Sequence, residues 1–265
     1  MENNGNSDDR IRKWMLPGLI IAVLLVRLVL GGGFTVMSGP MEKKTYTCAK
    51  EVKSIHIQGI TTEIVVRKGD VDRTTVAYAE RENDPVYKIS ESGGELLIVQ
   101  NKKFRLFNFD AFKYSVTVTV PDDLEGEMEI ENKSGNIQIR DLSAKKIVID
   151  NVTGKVLLEE VSSEKDLTVN NITGSVTLTD VTTGGNAEVN NTTGKILTDE
   201  LRSRKNISLK TTTGSISGTI SGKESDFSIT AKVTTGSNSL NNSSRGGRKL
   251  YVSTTTGSIK LTFTE

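Results

Sequence analysis

Asn151-Val152-Thr153-Gly154-Lys155-Val156 returns twenty residues later as Asn171-Ile172-Thr173-Gly174-Ser175-Val176, and again as Asn191-Thr192-Thr193-Gly194-Lys195-Ile196. Working outward, the same hexad opens at Asn132-Lys133-Ser134-Gly135-Asn136-Ile137. It continues, with Thr or Val in place of Asn, at Thr211–Ile216, Val233–Asn238 and Thr254–Ile259. The seven glycines are spaced 19, 20, 20, 20, 22 and 21 residues apart. So even a period is the mark of a stacked-repeat architecture, in which one unit cannot bury its apolar face alone.

Aligned on the glycine, the columns give the local structure. Two positions after it stand Ile137, Val156, Val176, Ile196, Ile216, Asn238 and Ile259. Five before it stand Ile130, Ile149, Val169, Val189, Leu209, Ala231 and Val252. Further apolar positions follow at steps of two, which is the strand period. Each repeat therefore predicts two short strands with a sharp bend at the glycine, where a side chain would clash or φ would be positive. Like residues of successive coils should stack at about 4.8 Å. The fold class expected is all-β, a parallel β-helix or β-solenoid with coils of about 20 residues, right-handed by the general crossover preference. Asn132, Asn151, Asn171 and Asn191 would form an amide ladder. They also head Asn-x-Ser/Thr triplets, but the repeat accounts for them better than glycosylation does.

Residues 51–125 are less regular. Ile55–Ile57, Ile64–Val66, Val76–Tyr78, Leu96–Val99 and Val116–Val120 read as strands. They are taken as irregular N-terminal coils and cap of the same solenoid, with a separate small β-domain as the alternative; the regular repeats fill 126–265. Ahead of them, 1–13 reads as a short cytoplasmic tail, 14–37 as a transmembrane helix and 38–50 as a linker. The apolar run Leu16–Leu30, with Arg27 inside it, reaches about the 20 residues of a span only with the glycine-rich continuation. Trp14 beside Arg10, Arg12 and Lys13 suits a membrane interface. An uncleaved signal anchor is preferred to a cleaved signal peptide because Arg27 is awkward in a signal core. The protein is then expected in the cell membrane, single-pass, with its C-terminal domain extracytoplasmic.

Lys plus Arg total 34 and Asp plus Glu 33, a balance that argues against nucleic acid as a partner. The lone Cys48 excludes an intrachain disulfide, and the polar residues before it do not suit a lipoprotein signal. The lone His56, between Ile55 and Ile57, reads as an outward strand residue.

A single N-terminal span followed by Thr-Thr-Gly-x-Ile/Val repeats resembles the bacterial candidate-adhesin family of the DUF4097 strand-repeat type, LiaG-like proteins included. The resemblance covers most of 50–265. It implies a β-helical surface domain with no known catalytic residues and, for some members, a place in cell-envelope stress responses; no cofactor is expected.

Three groups of side chains are candidate sites. Asp141, Glu160, Asp180 and Glu200, six residues after successive glycines, form an acidic column that needs either basic neighbours or divalent cations. Lys145, Lys146, Lys165, Arg202, Arg204 and Lys205 are the expected neutralising residues. Phe104, Phe107, Phe109 and Phe112, with Tyr114, would cover a core end or meet a partner. Arg245, Arg248 and Lys249 lie in a loop where the period stretches and could contact a partner. The chain end, Leu261–Glu265, leaves no residues for a cap and invites end-to-end association. The function expected is a non-enzymatic adhesion or surface-scaffold module, with the membrane and a cell-envelope polymer or protein as partners. An envelope-stress sensor is the alternative, and a β-helical polysaccharide-processing enzyme a more distant one.

Overall fold

The computed structural model describes residues 41–81, 85–101 and 114–264. The expected span at 14–37 and the four phenylalanines of 104–112 lie outside the described residues. Among the described residues no helix is long and apolar enough to cross a membrane.

The regular part alternates between two sheets. Strands β8 (Glu127–Ser134), β10 (Lys146–Thr153), β12 (Leu167–Thr173), β14 (Ala187–Thr193) and β16 (Ile207–Thr213) form one. Strands β9 (Ile137–Ala144), β11 (Val156–Ser163), β13 (Val176–Thr183), β15 (Ile196–Ser203) and β17 (Ile216–Ser221) form the other. Every pairing here is parallel and joins repeat equivalents: Ile149 to Val169, Val156 to Val176, Asn171 to Asn191. This is the stacked solenoid expected from the period. The apolar columns of both sheets merge into one continuous buried core, because period-2 alternation sends them all to the same side.

Each coil turns at its glycine, with φ between 128° and 154° at Gly135, Gly154, Gly174, Gly194, Gly214, Gly236 and Gly257. A second bend lies inside β9, β11, β13 and β15. There the acidic column, Asp141, Glu160, Asp180 and Glu200, holds φ of 48–57°. Pairing skips these residues: Glu159 aligns with Thr179 and Val161 with Val181.

Both ends depart from chain order. At the N-terminal end β2 (Ser54–Thr61) and β3 (Glu63–Lys68) stack directly on β8 and β9. The next coil outward is made of β6 (Glu95–Gln100) and β7 (Ser115–Val120), both parallel to β2 and β3. Strands β4 (Thr75–Arg81), β5 (Tyr87–Ser92) and β1 (Met41–Thr47) then close the stack with antiparallel pairs. Residues 41–47, expected as linker, are therefore an edge strand. Their charged sequence Met-Glu-Lys-Lys-Thr-Tyr-Thr suits an exposed edge and hides the strand from a hydrophobicity reading. Within this cap Lys44 meets the buried Glu80 at 3.1 Å, and the Tyr78 and Tyr87 rings lie edge to face at 5.7 Å.

At the C-terminal end β19 (Arg248–Thr256) and β20 (Ile259–Thr264) stack on β16 and β17, while β18 (Phe227–Thr235) lies outside β19. The last coil in sequence is thus inserted beneath the one before it. β20 is the edge strand of its sheet, as the reading of Leu261–Glu265 expects, and only its start is covered, where Ser239 N–H donates to the Ile259 carbonyl and Ile259 N–H to the Ser237 carbonyl. Ile229 and Ser243 exchange backbone bonds along the outer edge of β18. The buried Phe227 lies 5.7 Å from the Phe263 ring and closes the core.

Candidate functional site

One long groove, with a volume of about 1170 Å³, runs across the strands of the β8–β19 sheet beside the glycine bends. Its geometry follows from the hexad. In each coil the strand alternates through three positions before the bend, and stacking converts each position into a row.

The first row, Asp150, Asn170 and Asn190, faces the groove as a hydrogen-bonded chain of one carboxylate and two amides. Asn170 Nδ2 donates to Asp150 Oδ1 at 2.8 Å, and Asn190 Nδ2 to Asn170 Oδ1 at 2.9 Å. Lys210 continues the row, 3.6 Å from Glu188 and above the Tyr251 ring.

The second row turns inward beneath the groove floor. Asn151 Nδ2 donates to Asn171 Oδ1 at 3.0 Å and Asn171 Nδ2 to Asn191 Oδ1 at 3.2 Å. This is the ladder expected from sequence for these three residues. Asn191 ends it on the Gly174 carbonyl, and Thr211 and Thr254 carry on the column by bonding to the Gly194 and Gly214 carbonyls. The ladder breaks at its first rung: Asn132 donates to the Thr62 carbonyl instead. The Oδ1 atoms of Asn132 and Asn151, both residues only 2% exposed, are left without a hydrogen-bond partner.

The third row is lifted out of the sheet. Pairing skips Val152 and Ile172, since Asn151 aligns with Asn171 and Thr153 with Thr173. Their side chains are 42% and 50% exposed, two of the three large apolar side chains standing in solvent among the described residues. Thr192, Thr212 and Thr255 extend the row. Gln58, Ile60, Gln100 and Asn101 close the end formed by the N-terminal coils. The sequence offered the inner ladder but not the groove. The outer amide row and the exposed aliphatic row become a site only once the bend is known to tilt them to one side.

The candidate residues fall elsewhere. Asp141, Glu160, Asp180 and Glu200 occupy the left-handed bends of the opposite sheet. Asp141 lies 4.0 Å from Lys68 Nζ, and Glu200 accepts from Ser221 and Thr264, bonds that hold its carboxyl below the usual range. Lys146, expected to neutralise this column, pairs with Glu127 at 3.7 Å instead. Among the described residues the three-fold gathering of ligating atoms within 4.8 Å is His56, Glu129 and Glu131, on adjacent strands β2 and β8. The sequence separates His56 from these carboxylates by more than seventy residues, so the outward strand reading of His56 left them unconnected. Arg248 is an internal tie: it stacks on Phe227 at 4.2 Å and donates to the Ser203 carbonyl and to Asp226. Arg245 and Lys249 are exposed. Tyr114 is buried in the core wall. Cys48 is fully buried, and that burial, with Glu91 nearby, pushes its thiol up to about 11.

Fold and groove define an all-β repeat protein with one long groove across its stacked coils. The chain belongs to the Toastrack DUF4097 family, whose model matches residues 52–264. No curated protein matches it. Among solved structures it is similar to a candidate adhesin from Bacteroides fragilis, with 15% identity over 85% of this chain and 98% of that one and a TM-score of 0.47. It is also similar to a candidate cell-adhesion protein from Clostridium sporogenes, with 13% identity over 85% and 100% and a TM-score of 0.41. A candidate adhesin from Parabacteroides merdae gives 13% identity over 85% and 97%, with a TM-score of 0.44.

Proposed function

We propose that the protein is a membrane-anchored, extracytoplasmic, non-catalytic binding module, acting in adhesion or as a surface scaffold, and that the groove is its binding face. The observation that carries this reading is the groove's construction. Three parallel rows run along the stack, a polar outer row centred on Asn170 and Asn190, a buried ladder of Asn and Thr, and a lifted row of Val152, Ile172 and threonines, and such a surface suits an extended partner lying along the stack. A catalytic centre instead needs unlike groups converging on one point, whereas rows of like residues distribute the same chemistry along a line. The anchor is proposed from the apolar run at 14–37, and the extracytoplasmic placement from the short tail before that run and the surface-domain character of the repeats after it.

The test is retention of the detergent-solubilised full chain on cell-envelope fractions, comparing wild type with Ile172→Glu. Residue 172 is half exposed, so the substitution places a charge in the groove without emptying the core. Wild-type retention with loss in the variant supports the reading. Equal retention of both, or of neither, contradicts it.

A further inference from the structure

We propose that the groove binds a linear, uncharged glycan laid along the stacking axis with about one sugar ring per coil. The inference rests on the groove being the binding face and adds the chemistry of what fills it.

Four observations lead there. The central coils present neutral groups, Asn170 and Asn190 in one row and Thr192 and Thr212 in another. The charges that line the groove flank this neutral stretch and are mixed in sign, Glu131, Lys133 and Asp150 on one side and Lys210 on the other, so a polyanion or polycation meets no continuous complementary strip. Second, Val152 and Ile172 lie side by side and exposed in the same groove, an apolar patch suited to the C–H face of a sugar ring, within a lining of amides and hydroxyls suited to its rim. Third, the outer amides Asn170 and Asn190 each make two hydrogen bonds to neighbouring side chains, half of what an Asn side chain can form, and a ligand rich in O–H groups can use the rest. Fourth, the rows repeat at about 4.8 Å, close to the length one pyranose adds to an extended β-linked chain.

Other occupants fit less well. An acyl chain would cover the amide rows without bonding them, which costs free energy at each coil. An extended peptide binds best by adding its backbone to an open sheet edge. The groove floor offers side chains from paired, interior strands.

The experiment titrates the full-length protein in detergent with β-1,4-linked oligomers of glucose and of N-acetylglucosamine, from about two to six units. A polyglycerol phosphate and phosphatidylglycerol vesicles are run alongside. Affinity should climb with each added sugar until the chain spans the rungs given by β8, β10, β12, β14, β16 and β19. Ile172→Glu, with an unchanged melting profile, should bind more than tenfold more weakly. No binding of any neutral oligomer, groove-dependent binding of the polyphosphate or the vesicles instead, or undiminished binding by Ile172→Glu would each overturn the glycan assignment. If Ile172→Glu loses envelope retention while no oligomer binds wild type, the groove stands as binding face and only the glycan falls. If envelope retention is unaffected as well, both fall.

Discussion

Gly154 lies so close against Gly135 of the preceding coil that a β-carbon on it would stand 2.0 Å from the Gly135 carbonyl oxygen. The same relation recurs up the stack, where a β-carbon on Gly174 would stand 1.9 Å from the Gly154 carbonyl oxygen. Two constraints therefore meet at one residue, a positive φ and a backbone-to-backbone approach. The obstacle is backbone rather than a movable side chain. Gly174→Ala is expected to destabilise the protein by about 2–4 kcal/mol, read from urea unfolding, while Ser175→Ala beside it changes stability by less than about 0.5 kcal/mol. Similar losses from both would remove the coil contact as the cause.

The inner amide ladder gives a second test. Asn171 accepts from Asn151 and donates to Asn191, so Asn171→Ala leaves two buried amides short of partners. A loss of about 2–3 kcal/mol is expected. Asn171→Thr should recover part of it, because Thr211 and Thr254 already serve that column by bonding to glycine carbonyls. Thermal unfolding of the two variants checks the order.

At the acidic bends a change should stabilise. Glu160 holds φ of 53° in a conformation that glycine adopts without strain, and its carboxylate is exposed. Glu160→Gly is expected to raise stability by about 0.5–1 kcal/mol, and Glu160→Val to lower it by at least as much. A destabilised Glu160→Gly would mean that the carboxylate, rather than the bend, is what the position requires.

Much of this was legible in the hexad. Its 20-residue period gave the coils, the apolar columns gave the core, and Asn151, Asn171 and Asn191 gave the ladder. Stack order was not legible, since chain order is only a default for it. The signal that existed lies in the decayed copy at Val233–Asn238. Asn238 stands where other coils carry Ile or Val, because this coil lies outermost and has little beyond it to pack against. The intact copy at Thr254–Ile259 lies inside it. Likewise β1 and β5 escaped a reading based on apolar alternation, since edge strands are kept polar. The groove was hidden because exposure of Val152 and Ile172 depends on where pairing lapses, which composition does not reveal.

Cys48 reports on the N-terminal cap. Its thiol is buried and raised from 9.0 to about 11, so the folded state favours the neutral form. Its contribution to stability is then complete below pH 9 and is lost as pH climbs through about 11. Reaction with a thiol reagent at pH 8 should occur only on unfolding, and the unfolding midpoint in urea should fall between pH 9 and 11. The Cys48→Ser variant should lack the part of that fall due to the thiol. Rapid labelling of the native protein would show an open cap.

The stack itself is tested most directly by cysteine pairs on its outer face. Thr168 and Glu188 are register partners on neighbouring coils, and Ser208 is the partner of Glu188 one coil further on. In the full chain, Thr168→Cys with Glu188→Cys places two thiols at a separation that a disulfide spans, whereas Thr168→Cys with Ser208→Cys places them about 9.6 Å apart, beyond its reach. Mild oxidation should crosslink the first pair within the chain and leave the second free. Crosslinking of the second pair, or of neither, would contradict parallel in-register coils and the groove built on them.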